Sequence, residues 1–214
     1  MGKTAVIALN GQLEKKEDDY KNILNQGNFF IAADGGSKIF SKLGYIPDII
    51  IGDLDSLSVE DINYFKQQET KFINFPVEKD ETDAELALLY CSENNINSII
   101  FTNTLGGRLD HQLANIFLLE YALQLGLNAV IKEPGLELGI IKKEKKFINY
   151  QGKTLSILPL SKKVVNVKNI GFKYSLTGEN LLRYKTRGIS NIIKNKKARI
   201  SLDKGKLIYI LETE

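Results

Sequence analysis

Apolar residues in the first part of the chain come in short unbroken runs: Thr4 to Leu9, Phe29 to Ala33, Ile49 to Ile51, Lys71 to Phe75, Ser98 to Thr102 and Asn128 to Lys132. Runs of this length, rich in β-branched residues and lacking alternation, predict strands covered on both faces. Between them the pattern shifts to helical signals. An acidic stretch from Glu14 to Asp19 leads into a helix around Tyr20, Ile23 and Leu24 that should stop near Gly27. Ser37 to Leu43 forms a short helix, Ser58 caps one that reaches Phe65, and Thr82 with Glu85 reads as a capping box opening the apolar helix Ala84 to Cys91. Leu109, Leu113, Ile116, Phe117 and Tyr121 then recur at helical spacing.

At Glu133-Pro134-Gly135 this alternation ends, and only short strands follow. They are expected at Leu138 to Lys142, Thr154 to Leu158, Val164 to Val167 and Phe172 to Leu176, with a hairpin of Ala198 to Leu202 and Lys206 to Leu211 about Asp203-Lys204-Gly205. The fold expected is therefore α/β: a mostly parallel sheet domain over 1–133, followed by an all-β sandwich domain over 134–214.

Charge sharpens that division. Residues 1–132 carry 11 Lys and Arg against 19 Asp and Glu, a net of −8, whereas 133–214 carry 18 against 7, a net of +11. The basic half has three readings: solvated faces, a nucleic-acid surface, or a face that packs near the acidic domain of a second subunit. Its lysines are spread along strands without interleaved stacking aromatics, which favours the first over nucleic acid. With one cysteine, Cys91, and one histidine, His111, the chain has neither an internal disulfide nor a histidine metal site. No run is long enough to span a membrane, and the first apolar run is too short for a signal core, so a soluble cytoplasmic protein is expected.

Candidate chemistry gathers at the expected strand ends. The run Ile49-Ile-Ile-Gly-Asp-Leu-Asp-Ser56 stops in a glycine and two carboxylates. Asp53 and Asp55 leave one face of the strand if the extended backbone persists for one more step, and their oxygens suit Mg²⁺. A plain turn explains the same residues. Asp34-Gly35-Gly36 follows another strand, an arrangement that lets backbone amides approach a phosphate, or simply a βα turn. Lys79-Asp-Glu-Thr-Asp83 adds carboxylates to the same rim, where like charges repel unless a metal or cation is present. In Leu105-Gly-Gly-Arg-Leu-Asp-His111, Gly106 and Gly107 permit close backbone approach, and Arg108 offers a fork for phosphate or an ordinary salt bridge. Asp110 is a further carboxylate or a helix cap, and His111 a hydrogen-bonding neighbour in preference to a catalytic base. Together these residues point to Mg²⁺-dependent nucleotide or phosphate chemistry.

In order, Ala33-Asp-Gly-Gly36, Gly52-Asp-Leu-Asp-Ser56, Lys79-Asp-Glu-Thr-Asp83, Leu105-Gly-Gly-Arg-Leu-Asp-His111 and Gly188-Ile-Ser-Asn191 resemble the motifs of the thiamine pyrophosphokinase family over nearly the whole chain. The resemblance implies transfer of the pyrophosphoryl group of ATP to the hydroxyl of thiamine, with Mg²⁺ as cofactor. It also implies a homodimer whose sites lie between the α/β domain of one subunit and the sandwich of the other, with no nucleic acid or membrane involved. Asp53, Asp55 and Asp83 would be the metal ligands, and Asp55, Asp83, Arg108 and Asp110 the catalytic group. Lys79, Thr82, Gly106 and Gly107 would meet the polyphosphate, Asp34 and Gly35 would form the cleft, and Ser190 and Asn191 would touch thiamine. Family members commonly carry a tryptophan near Gly171-Phe-Lys-Tyr174; this chain has none, leaving Tyr174 to offer an aromatic face.

A poor nucleophile such as the thiamine hydroxyl needs a carboxylate to take its proton, Asp83 or Asp55. Two rivals stand beside this reading. One is a phosphotransferase or phosphatase in which an aspartate of Asp-x-Asp is itself phosphorylated. The other is an idle nucleotide-binding module whose basic domain binds nucleic acid in a salt-sensitive way.

Overall fold

In the computed structural model the chain divides into two units, Met1–Pro134 and Gly135–Glu214. The residues described are 2–13, 15–55, 57–76 and 78–214, with Asp34 described by its main chain; Glu14, Ser56 of the Gly52 to Ser56 motif and the Asp34 side chain lie outside them.

The first unit alternates strand and helix as its apolar runs require. Its elements are β1 (Thr4–Ala8), α1 (Glu17–Leu24), β2 (Phe29–Ala33), α2 (Ser37–Leu43), β3 (Ile49–Gly52), α3 (Val59–Gln67), β4 (Lys71–Asn74), α4 (Asp83–Glu93), β5 (Ser98–Thr102), α5 (Leu109–Gln124) and β6 (Asn128–Glu133). The strands lie in the order β6-β5-β1-β2-β3-β4, all parallel, with Ala8 level with Ala32 on one side and Thr102 on the other. The chain walks outward from β1 to β4, then crosses to the far side of β1 for β5 and β6. Connections therefore diverge between β1 and β5, the switch point at which open α/β sheets commonly bind ligands outside the carboxyl ends of their strands. The triple-isoleucine run of β3 lies one strand in from the edge, while the middle belongs to β1, whose Ala5 to Ala8 are wholly buried.

Val6, Ala8, Ala32, Ile50 and Ile100 form one face of the sheet and pack beneath Tyr20, Ile23 and Leu24 of α1, Ile39, Phe40 and Leu43 of α2, and Phe65 of α3. Ser58 starts α3 with a full capping box: its hydroxyl accepts from the Asp61 N–H at 3.1 Å, and the Asp61 carboxylate accepts from the Ser58 N–H at 3.4 Å. At α4 the Thr82 hydroxyl accepts from the Glu85 N–H at 3.2 Å, the forward half of the expected box. Cys91, buried in α4, has its thiol pushed up to about 12 by burial, so it is an inert packing residue. The periodic apolar set of α5 does not face the core as a group: Leu109, Leu113 and Phe117 are 69%, 47% and 57% exposed, and the helix buries Leu119 and Ala122 instead. Among the described residues no helix is long and apolar enough to cross a membrane.

The second unit contains β7 (Leu136–Ile141), β8 (Glu144–Ile148), β9 (Thr154–Pro159), β10 (Lys163–Ile170), β11 (Thr177–Leu182), β12 (Asn191–Ile192), β13 (Lys197–Ser201) and β14 (Leu207–Glu212). They form two antiparallel layers, β12-β9-β14-β7 and β11-β10-β13-β8. Side chains from both layers meet in one core, among them Phe147, Leu155, Val164, Val167, Ile200, Leu207 and Tyr209. Two expectations are corrected here. The last two strands are not a hairpin, because β13 pairs with β10 and β8 whereas β14 pairs with β7 and β9 in the other layer. The segment Phe172 to Leu176 is not a strand; β11 begins after it. Strand β8 escapes the sequence pattern because Phe147 is its one buried residue, the others being charged or outward-facing, as suits an edge.

Phe147 is 1% exposed and meets the rings of Tyr209 and Phe172 edge-on at 5.5 and 6.4 Å. Truncation to Ala should lower the unfolding free energy by about 3–5 kcal/mol in urea titrations. A change of less than about 1 kcal/mol would show that the sandwich core does not depend on this ring.

Candidate active site

Two loops leave the sheet at the switch point, residues 9–12 after β1 and 103–108 after β5, and they are tied together. The Asn103 side chain donates to the carbonyls of Leu9 and Gly11 at 2.8 and 3.0 Å, and the Gly11 N–H returns a bond to the Asn103 carbonyl at 2.7 Å. The Gln12 N–H reaches the Leu105 carbonyl at 3.2 Å. Any side chain at position 11 would run into the Asn103 and Leu105 carbonyls, which is why a glycine stands there. From the neighbouring strand, Glu133 accepts from the Thr104 N–H and hydroxyl at 2.6 and 2.7 Å and from the Asn103 N–H at 3.2 Å. Burial pushes its carboxyl above the usual range, against the pull of these bonds. Ionising Glu133 thus costs more in the folded chain than in the unfolded one: the stability linked to this group is full below the ordinary Glu value and is lost as pH rises through the raised one, above which the group is the anion that these donors hold. Asn103 Oδ1 is buried without a partner among the described residues, an acceptor left over at the switch point.

On this base sit Gly106 and Gly107, with φ of +84° and +79°, values that side chains resist. Arg108 follows at the amino end of α5 and places its fork on Asp110, Nε to Oδ1 at 3.2 Å and the second nitrogen to Oδ2 at 2.7 Å. The pairing holds the Asp110 carboxyl below its usual range, and both groups stand in solvent. The salt-bridge alternative for Arg108 is thus what the chain adopts, while Asp110 lies inside the first turn of α5, its carboxylate accepting from the His111 N–H at 3.0 Å.

Further along the rim, Asp53 and Asp55 do not leave one strand face. Strand β3 ends at Gly52, Leu54 turns the chain with φ +65°, and Asp53 Oδ1 accepts from the Asp55 N–H at 3.2 Å. Asp83, at the start of α4, is held by Lys79 at 2.5 Å, both largely buried. Among the described residues, no three of His, Cys, Asp and Glu stand close enough to hold a metal ion, so the trio Asp53, Asp55 and Asp83 is not a ready-made cage. The Asp34 to Gly36 segment forms a 3₁₀ turn, and Gly35 and Gly36 lie against Asn10 and the Ala8 carbonyl.

The second unit has its own cavity, of about 170 Å³, lined by Leu155, Ile157, Tyr174, Gly188, Ile189 and Asn191 among others. Two buried amides shape it. The Asn169 and Asn191 side chains donate to the Tyr174 carbonyl at 3.0 and 2.7 Å, Asn191 accepts from the Tyr174 N–H at 3.0 Å, and Asn169 accepts from the Leu176 N–H at 2.9 Å. Tyr174 is thereby fixed with its ring exposed, and the Asn191 amide is committed to holding it. Ser190 is exposed, with φ +54°, and its N–H donates to Ser156 at 2.9 Å. Asn103, Thr104, Glu133 and Asn169 were not foreseen; a polar residue at the end of an apolar strand is the one signal that marks the first three.

A parallel sheet with tied glycine loops at its switch point, carried with a β-sandwich on one chain, is an α/β architecture of the class that commonly takes ligands at the carboxyl ends of its strands. Residues 20–131 match the catalytic domain of thiamin pyrophosphokinase and 139–207 its vitamin B1 binding domain. The chain belongs to the thiamine pyrophosphokinase family, enzymes of thiamine diphosphate formation. It is 28% identical to the thiamine pyrophosphokinase of Bacillus subtilis (strain 168) over 204 residues, 92% of each chain. It is 24% identical to thiamine pyrophosphokinase 1 of Arabidopsis thaliana over 81% of this chain and 74% of that one. Among solved structures, thiamine pyrophosphokinase from Bacillus subtilis superposes with a TM-score of 0.87 at 25% identity, covering 99% of this chain and 100% of that one. The Geobacillus thermodenitrificans structure gives 0.85 at 26%, covering 99% and 98%.

Replacing Asn191 by Ala removes the amide that grips both sides of Tyr174 and should cost about 1–3 kcal/mol in urea titrations. An unchanged midpoint would mean that Asn169 holds the segment alone.

Proposed function

We propose that this chain transfers the pyrophosphoryl group of ATP to the hydroxyl of thiamine, giving thiamine diphosphate and AMP, with Mg²⁺ and as a cytoplasmic homodimer. The observation that carries the reading is the tied Asn103 to Arg108 loop at the switch point, within a chain that matches the family over both units.

In this reading the Gly106 and Gly107 amides receive the polyphosphate, and Arg108 exchanges Asp110 for phosphate oxygens, a swap its solvent exposure makes easy. Lys79 and Thr82 at the start of α4 add contacts, and Asp34 and Gly35 line the cleft. Mg²⁺ suits the donors on this rim, since Asp53, Asp55 and Asp83 offer only oxygen, and this ion commonly takes one or two carboxylates beside substrate phosphates rather than a complete protein cage. When bound it neutralises charge on the polyphosphate. Asp55 or Asp83 takes the hydroxyl proton as thiamine attacks. Asp55 stands exposed, and Asp83 would have to loosen its bond to Lys79. Transition states of this class are loose, so holding the reactants in line is the main task of these residues.

The thiamine end belongs to the cavity beside Tyr174, with Ser190 in contact and Asn191 holding the ring, presented by the sandwich of the partner subunit. Two features support the homodimer: the charges of the two halves, −8 and +11, and the exposed apolar stripe Leu109, Leu113 and Phe117. Nucleic acid and membrane have no part in the reaction.

Purified protein incubated with ATP, Mg²⁺ and thiamine should yield thiamine diphosphate and AMP in equal amounts, and nothing when a chelator is present. ADP with thiamine monophosphate would replace the reaction by simple phosphoryl transfer. Asp55→Asn and Asp83→Asn should each lower kcat by about 10²-fold or more at an unchanged unfolding midpoint. Near-normal turnover in either variant removes that carboxylate from the site. Arg108→Lys should also be impaired, because an ammonium cannot reproduce the fork.

A further inference from the structure

Glu133 is the last residue of β6, and it touches none of the groups assigned to substrate above. Its carboxylate receives the Asn103 and Thr104 N–H groups and the Thr104 hydroxyl. Two successive amides turned toward one anion form a nest, the shape in which backbone commonly holds a phosphate; here the anion is the protein's own side chain. The same turn puts Asn103 at φ +54° and so points the Asn103 and Leu105 carbonyls back toward Gly11 and Gln12. A third tie comes from α5, where the Asn115 side chain donates to the Thr104 carbonyl at 3.3 Å.

We propose that Glu133 is the positioning residue of the glycine loop: its carboxylate sets the peptide planes of 103–105, and these aim the Gly106 and Gly107 amides and Arg108 at the phosphates of the ligand. Gly106 is pressed against Gln12, where a Cβ would come within 2.9 Å of that side chain, so the loop is fixed on its inner side. A Cβ on Gly107 would meet nothing within 4 Å, so the chain opens outward at that residue. The Gln112 side chain of α5 donates to the Gly107 carbonyl at 3.3 Å, so the direction of residues 106–108 is set from two ends, by the start of α5 and by the planes of 103–105 before them. Glutamine at 133 keeps the shape and one acceptor oxygen but presents an NH₂ group to amides that themselves donate, so the turn must change. The identity of the loop's ligand as ATP rests on the function proposed above; the control of the loop by Glu133 does not.

Three measurements on the full-length chain test this: hydrogen exchange of the 103–108 segment, thermal unfolding, and steady-state kinetics with Mg²⁺, ATP and thiamine. In Glu133→Gln, exchange at 103–108 should rise by about tenfold or more while the strand segments 4–8 and 98–102 keep their protection. KM for ATP should rise, or kcat fall, by about tenfold, with KM for thiamine held within about twofold. Thr104→Val, which removes one of the donors and leaves the carboxylate, should move the same quantities in the same direction by less, and it decides the matter if Glu133→Gln fails to fold. Unchanged exchange and ATP parameters in a folded variant overturn the proposal, as does a general loss of protection with both substrates affected alike, which is the mark of a merely structural residue. If the unaltered protein makes no thiamine diphosphate, the function proposed above fails, and the exchange comparison still decides the role of Glu133.

Discussion

The site depends on how backbone polar groups are satisfied where β1 and β5 leave the sheet in diverging directions. A parallel sheet supplies hydrogen bonds only as far as its strands run, and at the switch point the next amides and carbonyls have no ladder to join. Here Asn103 and Glu133 complete it, one side chain bonding the loop after β1 and the other the loop after β5. Once those bonds are made, Gly11, Gly106 and Gly107 are the residues that fit, and Arg108 starts a helix from a fixed place. The glycine motif that first draws the eye is therefore the consequence of a polar frame beneath it.

A similar device shapes the second unit. Asn169 and Asn191 extend the single bridge of Phe172 to Ile193 by holding the main chain of Tyr174, so a stretch outside the regular strands presents an aromatic residue beside a cavity. In both units the core supplies rigidity through packed apolar layers, and a few buried amides or carboxylates convert it into direction at a loop. Within the same sandwich, Tyr209 donates to Glu137 at 2.7 Å beneath Lys145, and burial together with Glu137 pushes its hydroxyl pKa up. That cluster lies beside the Phe147 core.

The strands of the first unit were legible because burial on both faces leaves an unbroken apolar run, and β1 to β6 fall within a residue or two of where those runs place them. The sandwich was less so. An edge strand such as β8 needs one inward residue, and strands that pair across layers leave no local trace of their partners, so β13 and β14 read as a hairpin although they belong to different sheets. The site shows the same limit. Motif spacing found Arg108, the glycines and the acidic rim, but it aimed Asp53 and Asp55 together on the strength of an extended backbone that Leu54 breaks with a positive φ. The partners of the frame residues could not be read, because Asn103 meets its own from 92 to 94 residues away and Glu133 from 29 to 30. A polar side chain carries no mark of a distant main-chain partner.

If the framed loop seats the polyphosphate of ATP for pyrophosphoryl transfer, the bond that breaks lies between the α- and β-phosphoryl groups. Two ATP analogues separate this from every simpler transfer: one with a methylene bridge between the β- and γ-phosphorus atoms, the other with it between α and β. The account predicts that the first still modifies thiamine and releases AMP, while the second binds and does not react. Release of ADP analogue from the second, with the first inert, would show that the γ-phosphoryl group is the one transferred and would contradict it.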